Sequence, residues 1–217
     1  MSDNTAAVST TNAASNGVNI SLNEDMRDCL QEISNVAMGQ AGDHLARLLN
    51  SFVVLSIPHV AILSPTEIAM AVQTVDENNV SGVCQGFIGG GLAGEAMLLF
   101  SDTSFADLAT LMKYEEELNE ASERELLIDA TNILVGALIR GIAEQLDIEF
   151  SFGPPAILGQ HQELDKLLAS KSVRWNQALV IEVNYQIEGY NVQCDLLMVI
   201  TENSLPRLFQ KLEYLLD

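Results

Sequence analysis

The sequence predicts a mixed α/β protein of the α+β type, in which two similar halves share one mostly antiparallel sheet about a pseudo-two-fold axis. The chain repeats itself once, over about 100 residues. Each half contains a long segment with helical periodicity and two short apolar runs joined by a glycine-containing turn, which is typical of a β-hairpin. A repeat of this length is too long for a solenoid unit, so it indicates duplication.

A short helical stretch shows the repeat most clearly. Its members are Asp28, Glu32, Asn35, Gly39 and Pro58 in the first half, and Glu125, Asp129, Asn132, Gly136 and Pro155 in the second. Each member of the second set lies 97 residues after its counterpart in the first. Residues four, three and four apart share one face of a helix, so the four helical positions of each set fall within about 60° of each other.

The opposite face of the first helix is apolar. It carries Met26, Leu30, Ile33, Ala37, Ala41, Leu45 and Leu48. We expect this face to pack on the core, so the carboxylate and the carboxamide should point to solvent. A glycine in mid-helix costs about 1 kcal/mol relative to alanine, and its recurrence beside the polar pair favours a functional role. An inert pattern copied by duplication, or glycines that serve internal packing, are the alternatives.

The first half is expected to begin after residues 1–20, whose polar composition predicts a flexible N-terminal tail. Ser21 with Glu24 predicts a capping box for a helix that extends to about Asn50. The elements expected next are strands at 52–57 and 60–63, a short helix at 65–72, strands at 80–88 and 92–100 around glycines 89–91, and a helix at 102–112.

The second half repeats this order. Ser122 with Glu125 predicts a second capping box, for a helix that extends to about Leu146. The elements expected next are extended segments at 150–152 and 156–158, a helix at 160–170, a hairpin of 178–187 and 192–201 turned by Glu188 and Gly189, and a helix at 204–216. We therefore expect a single domain over 21–217, with the internal repeat spanning 21–114 and 118–217. Segments 101–114 and 201–214 also align, at an offset of 100.

Composition excludes some classes of partner. The net charge is −20, with only 10 Lys and Arg residues, so nucleic acid is not an expected partner. The acidic surface serves solubility or favours a partner with a basic patch. No apolar run is long enough to span a bilayer and no signal peptide is predicted. Three cysteines in apolar segments suit reduced thiols, so we expect a cytoplasmic protein without membrane insertion.

An acid and an amide on an exposed helical face can assist a reaction on another protein. The carboxylate can hold a cation such as a lysine, and the carboxamide, with one acceptor and two donors, can orient a water molecule. Phosphoryl transfer depends mostly on such positioning and charge placement. Because the pair has no strong nucleophile and no metal ligands of its own, the partner must supply the reactive group. The alternative is that both side chains are merely solvated.

The spacing Asp28-x3-Glu32-x2-Asn35-x22-Pro58 resembles the signature of the CheC/CheX/FliY phosphatases of bacterial chemotaxis. EISNVAMGQAGDHLARLL followed by IPHV is similar to the first site of CheC, and DATNILVGALIRGIAEQL followed by PPAI to the second. The resemblance covers about residues 22–217. Two sites resemble CheC rather than CheX, which carries one.

This resemblance implies hydrolysis of the aspartyl-phosphate of a CheY-type response regulator. It implies that Asn35 and Asn132 orient the attacking water, while Glu32 and Asp129 pair with the regulator's lysine. No cofactor is expected on this chain, because Mg²⁺ would be held by the regulator. The second site departs from the pattern: Asp129 is one methylene shorter than the usual Glu, so we expect this site to be weaker or silent.

The residues leave alternative functions open. A non-catalytic adaptor that binds a response regulator or a CheD-type deamidase is the main alternative, and a small-molecule-binding domain would need an enclosed pocket. The glycine-rich segment 87–100 lacks the Gly-Lys-Ser/Thr of a phosphate loop and favours a hairpin turn. His44, His59 and His161 have no zinc-ligand spacing.

Overall fold

The computed structural model describes residues 21–71, 79–114, 117–169 and 176–216. The predicted tail, residues 1–20, lies outside the described residues. The helices are α1 Glu24–Leu49, α2 Pro65–Ala71, α3 Phe105–Leu111, α4 Glu120–Gln145, α5 Leu164–Ala169 and α6 Leu205–Leu216. The strands are β1 Val53–Leu55, β2 His59–Leu63, β3 Val80–Gly89, β4 Leu92–Ser101, β5 Ser151–Phe152, β6 Ala156–Gln162, β7 Ala178–Ile187 and β8 Gln193–Thr201.

The strands form one antiparallel sheet in the order β1-β7-β8-β4-β3-β5, with β2 also paired to β7 and β6 to β3. The two halves meet at the centre, where β4 pairs with β8 and Met97 lies opposite Leu197. These two residues are separated by the repeat offset of 100, so the pseudo-two-fold axis passes between them. The predicted fold class, with duplicated halves sharing a mostly antiparallel sheet, is confirmed.

The edges of the sheet interlock the halves. Strands β1 and β2 of the first half pair with β7 of the second, and β5 and β6 of the second half pair with β3 of the first. Each hairpin is therefore flanked by strands from the other half. Separating the halves would leave both hairpins with unpaired edges.

Helices cover both faces of the sheet. The larger core lies between one face and α1, α3, α4 and α6, and it includes Leu98 and Phe100 of β4. The smaller core lies on the other face, where α2 and α5 cover Met97 and Leu99 of the same strand. The alternation of β4 side chains between the two cores follows from the two-residue period of a strand. The long helices α1 and α4 thus lie together on one side.

Close packing joins α1 to α4. A Cβ built on Gly141 of α4 would lie 2.8 Å from the Cβ of Ala37 and 2.9 Å from its Cα. No side chain fits in that space without movement of the backbone. The expectation that no segment is long and apolar enough to span a bilayer does not hold for α4, which is so by length and composition, but 72% of its apolar window is buried inside the protein. Its composition is that of a core helix.

The hairpins form close to the predicted residues, and glycines at positive φ turn them: Gly90 and Gly91 at +60° and +84°, and Gly189 at +81°. The predicted helix at 160–170 was partly wrong. Residues 160–162 belong to β6, where Gln162 lies opposite Val80, and α5 begins at Leu164. Pairing with a long neighbouring strand outweighed the local helical pattern.

Both predicted helix caps were displaced. Asn23, not Ser21, caps α1, and its Oδ1 accepts a 2.8 Å hydrogen bond from the Met26 amide. Asn119 caps α4, and the side chain of Ser122, the predicted cap, instead accepts from the Asn119 amide at 2.8 Å. Asparagine and serine are about equally good caps. The backbone conformation before each helix therefore determines which of the neighbouring residues is the cap.

Candidate functional site

The first polar set lies on the solvent side of α1. Asp28, Glu32, Asn35 and Gly39 are all exposed. The apolar stripe opposite is buried from Met26 to Leu45, whereas Leu48 at its end is 52% exposed. A partner protein can therefore contact the acid and the amide at the same time, since side chains three residues apart are neighbours on a helix.

The loop that carries Pro58 is fastened to this helix. Pro58 is buried between β1 and β2, and its carbonyl accepts a hydrogen bond of 3.3 Å from the Nε2 of Gln31. Gln31 immediately precedes Glu32 in the sequence, so the loop is held beside the polar set. This contact places Pro58 beside the helix that carries Glu32 and Asn35.

The second polar set lies on α4 but is more enclosed. Glu125, Asp129 and Asn132 are exposed, whereas Gly136 is buried. A Cβ built on Gly136 would lie 3.2 Å from Nη1 and 3.3 Å from Nη2 of Arg140. The guanidinium group of Arg140 therefore covers this glycine. Gly136 therefore offers no open space to the backbone of another protein.

The first set has no such cover. Within the part of the chain that the structure describes, a Cβ built on Gly39 would meet no neighbouring group within 4 Å. The counterpart of Arg140 at the repeat offset is Asp43, which forms a 2.8 Å ion pair with Arg47, one turn further along α1. The two equivalent positions thus carry opposite charges. Asp43 leaves Gly39 open, whereas Arg140 covers Gly136.

A tyrosine distinguishes the two sets further. The Tyr114 hydroxyl donates a 2.8 Å hydrogen bond to the Oε2 of Glu125, which ties the segment after α3 to the start of the second set. Tyr214 occupies the equivalent place after 100 residues, but its side chain is 78% exposed. The difference accompanies helix length, since α3 has 7 residues and α6 has 12.

A groove borders the first set. It is formed by α1, the last residue of α4 and the end of α6, and its lining residues are Asp25, Asp28, Cys29, Glu32, Ile33, Gln145, Leu215 and Leu216. Burial raises the pKa of the half-buried Cys29 thiol, so this cysteine is predominantly neutral.

The sequence analysis did not identify the two leucines or Arg140 as part of either site. The alignment of Tyr114 with Tyr214 within the repeat could have drawn attention to the end of α6.

The remaining candidates from sequence have structural places. The glycine-rich segment forms the turn between β3 and β4, as expected. His161 contacts two carboxylates, with Nδ1 at 3.0 Å from Asp102 and Nε2 at 2.9 Å from Glu123. Partial burial acts to lower the pKa of His161, but hydrogen bonds and charges from these two acids outweigh it and raise the pKa. The cluster joins β6 to the first turn of α4.

An apolar cavity lies between α1, α4 and the sheet. Its volume is about 20 Å³, which is room for about one water molecule. Leu45 of α1, Leu134 of α4 and Tyr185 of β7 are among its lining residues. This cavity is too small for an organic ligand, so it does not support the small-molecule reading of the sequence. In the described ranges, no group of three His, Cys, Asp or Glu residues is placed to hold a metal ion.

Comparison with known proteins gives structural relatives. No protein-family model matches the sequence, and no curated protein matches it. The structure of FliY from Thermotoga maritima aligns with a TM-score of 0.65 at 20% identity, over 90% of this chain and 99% of that one. The FliM middle domain from Vibrio alginolyticus aligns at 0.60 and 13% identity, over 84% and 99%.

A CheC-like superfamily protein from Shewanella sp. PV-4 aligns with a TM-score of 0.53 at 14% identity, over 82% of this chain and 99% of that one. Each of these three alignments covers 99% of the neighbour's own chain. The resemblance to two-site CheC in particular stays a prediction. The chain has the fold that FliY, CheC-like, CheX and FliM middle-domain proteins share.

Proposed function

We propose that the protein is a chemotaxis phosphatase that hydrolyses the aspartyl-phosphate of a CheY-type response regulator. The observation that carries the proposal is the exposed pair of Glu32 and Asn35, repeated as Asp129 and Asn132, on the two long helices of this fold. A pair that projects from a convex helical face cannot enclose a small substrate. It can enter a cleft on another protein.

In the proposed reaction, the carboxamide of Asn35 accepts a hydrogen bond from a water molecule and holds its oxygen in line with the phosphorus. The water oxygen forms the new bond to phosphorus as the bond to the aspartyl oxygen breaks. The bonding electrons leave with the regulator's carboxylate, and inorganic phosphate departs with the protons of the water. Glu32 pairs with the regulator's lysine and so fixes the orientation of the two proteins.

The regulator supplies the phosphoryl group and the Mg²⁺ that neutralises its charge. The chain contributes positioning, because neither Glu32 nor Asn35 is a strong nucleophile. Gly39, one turn beyond Asn35 and exposed, leaves room for a backbone segment of the regulator.

The first site is proposed to carry most of the activity. Asp129 in the second site is one methylene shorter than Glu32, and the guanidinium of Arg140 covers Gly136. The shorter acid reaches less far toward the regulator's lysine, and the guanidinium hinders the approach of a regulator to Asn132. Neither has a counterpart at the first site.

A non-catalytic adaptor is the second candidate. The same exposed faces would then bind a response regulator or a CheD-type deamidase without turnover. The similarity to FliM middle domains, alongside FliY and CheX, fits this candidate as well as it fits the phosphatase.

Turnover separates the two candidates. A CheY-type regulator is phosphorylated with a small-molecule phosphodonor, the donor is removed, and phosphate release is followed at substoichiometric amounts of this protein. The phosphatase releases many equivalents per protein molecule, and Asn35→Ala abolishes most of the release. Stable binding with a rate no faster than the regulator's own decay supports the adaptor and contradicts the phosphatase.

A further inference from the structure

The apolar stripe of α6 extends beyond the core. Leu205, Leu208 and Leu212 are completely buried at helical spacing. Leu215 and Leu216 continue the same stripe in the last turn, yet they are 45% and 49% exposed. The helix therefore presents two partly uncovered leucines side by side at its end.

These leucines lie beside the proposed first site. They form one wall of the groove described above, and α1 forms the other. The α1 wall carries three carboxylates, from Asp25, Asp28 and Glu32. Glu32 thus belongs to the groove and to the proposed reacting pair, so the two surfaces are continuous.

Among the described residues, the surroundings of the second site on α4 present no equivalent wall. Helix α3 ends at Leu111, whereas α6 continues to Leu216. The hydroxyl of Tyr114 donates a hydrogen bond to the carboxylate of Glu125, which is the counterpart of Asp28. Within the part of the chain that the structure describes, an apolar surface edged by these carboxylates is therefore found at the first site.

We infer that this groove is the docking surface that captures the response regulator at the first site. The part of the regulator that it takes is an apolar patch flanked by lysine or arginine. Such side chains have aliphatic stems that can cover the leucines while their charged ends meet the carboxylates. The inference rests on the proposed function and adds to it the side of the site on which the regulator lies.

The charge of the groove disfavours a second copy of this chain as the occupant. The whole chain has a net charge of −20, and the rim of the groove is itself acidic. Two such acidic surfaces would repel each other. A partner surface that is basic and apolar would instead be attracted to the groove.

The test uses initial rates of phosphate release against the concentration of phosphorylated regulator. The variant Leu215→Ser/Leu216→Ser should raise KM on the order of tenfold with kcat unchanged, because partial burial of two leucines would be lost on docking. Leu215→Met/Leu216→Met should keep the parent KM. Met70→Ser is the matched control, because Met70 is 57% exposed on α2, which covers the opposite face of the sheet.

The charges are tested separately. Asp25→Asn should raise KM about twofold and weaken its dependence on salt, because screening acts on the attraction that this carboxylate supplies.

Labelling of Cys29 by a thiol reagent should slow when unphosphorylated regulator is added, whereas the buried Cys84 and Cys194 serve as internal references.

Unchanged KM in the double serine variant, with turnover still lost in Asn35→Ala, would overturn the docking surface and leave the phosphatase in place. A fall in kcat at constant KM would also overturn it, since that result assigns the leucines to the chemical step. Unchanged turnover in Asn35→Ala would instead overturn the proposed function. Melting temperatures of all variants are measured to check that each is folded.

Discussion

The guanidinium of Arg140 lies over Gly136, so that a Cβ at this glycine would be 3.2 Å from Nη1. At the equivalent place in the first half, Asp43 leaves Gly39 open and pairs with Arg47 instead. The two proposed sites therefore differ in access as well as in the length of their acidic side chain. This difference leads to a test of the second site.

Removal of the Arg140 side chain should open the second site. In an Asn35→Ala background, Arg140→Ala should increase phosphate release several-fold over Asn35→Ala alone, because the regulator could then approach Asn132. A further Asn132→Ala change should abolish the gain. If Arg140→Ala lowers the residual rate, the guanidinium assists the reaction and the idea of obstruction is wrong.

Gly39→Ala should separate stability from activity. The position is exposed, in mid-helix and without close neighbours, so alanine should stabilise the protein by about 0.5–1 kcal/mol through helix propensity. The added methyl group should nevertheless raise KM for the regulator if a backbone segment approaches there. Chemical denaturation and steady-state rates on the same variant provide the two measurements. Unchanged KM would contradict the close approach.

Gly141→Ala is the matched substitution on the other helix and should have the opposite effect on stability. Its Cβ would lie 2.8 Å from the Cβ of Ala37 and 3.0 Å from its carbonyl oxygen. Because backbone atoms of α1 would have to move, we expect a loss of about 1–3 kcal/mol in the free energy of unfolding. A neutral result in urea denaturation would show that the two helices can separate slightly without cost.

The His161 cluster should make stability depend on pH. Asp102 and Glu123 raise the pKa of His161 above its ordinary value of 6.5. The folded state therefore binds the proton more tightly than the unfolded state does. This contribution is complete below about pH 6.5 and is lost as pH rises through the raised pKa.

The cluster is tested by comparing wild type with His161→Gln across pH. The difference in the free energy of unfolding between the two proteins should be largest below pH about 6.5 and should shrink at higher pH. Glu123→Gln should reduce the same pH dependence by removing one of the two acids. A difference that grows with pH would contradict the assignment.

Local patterns in the sequence predicted those parts of the fold that depend on local interactions. The β7–β8 hairpin forms from Ala178 to Thr201, because alternating apolar residues and a glycine turn specify it without distant contacts. The interlocking of the edges was not predicted. It depends on pairs such as Val54 with Gln186, which are distant in sequence and carry no local signal.

The candidate site shows the same division. The exposed face of Asn35 and Asn132 follows from helical periodicity, and the structure places both at the surface. The cover over Gly136 and the open end of α6 depend on side-chain direction and on how far a helix extends. Alignment of the two halves makes Asp43 equivalent to Arg140. It does not show that Arg140 lies over Gly136 while Asp43 leaves Gly39 open.

Phosphate release from a phosphorylated CheY-type regulator, compared among wild type, Asn35→Ala, Asn132→Ala and the double variant, tests the central claim most directly. We expect turnover by the wild type, a loss on the order of 10²-fold in Asn35→Ala, a small loss in Asn132→Ala and no activity in the double variant. Release by the double variant at the rate of the wild type would contradict the account.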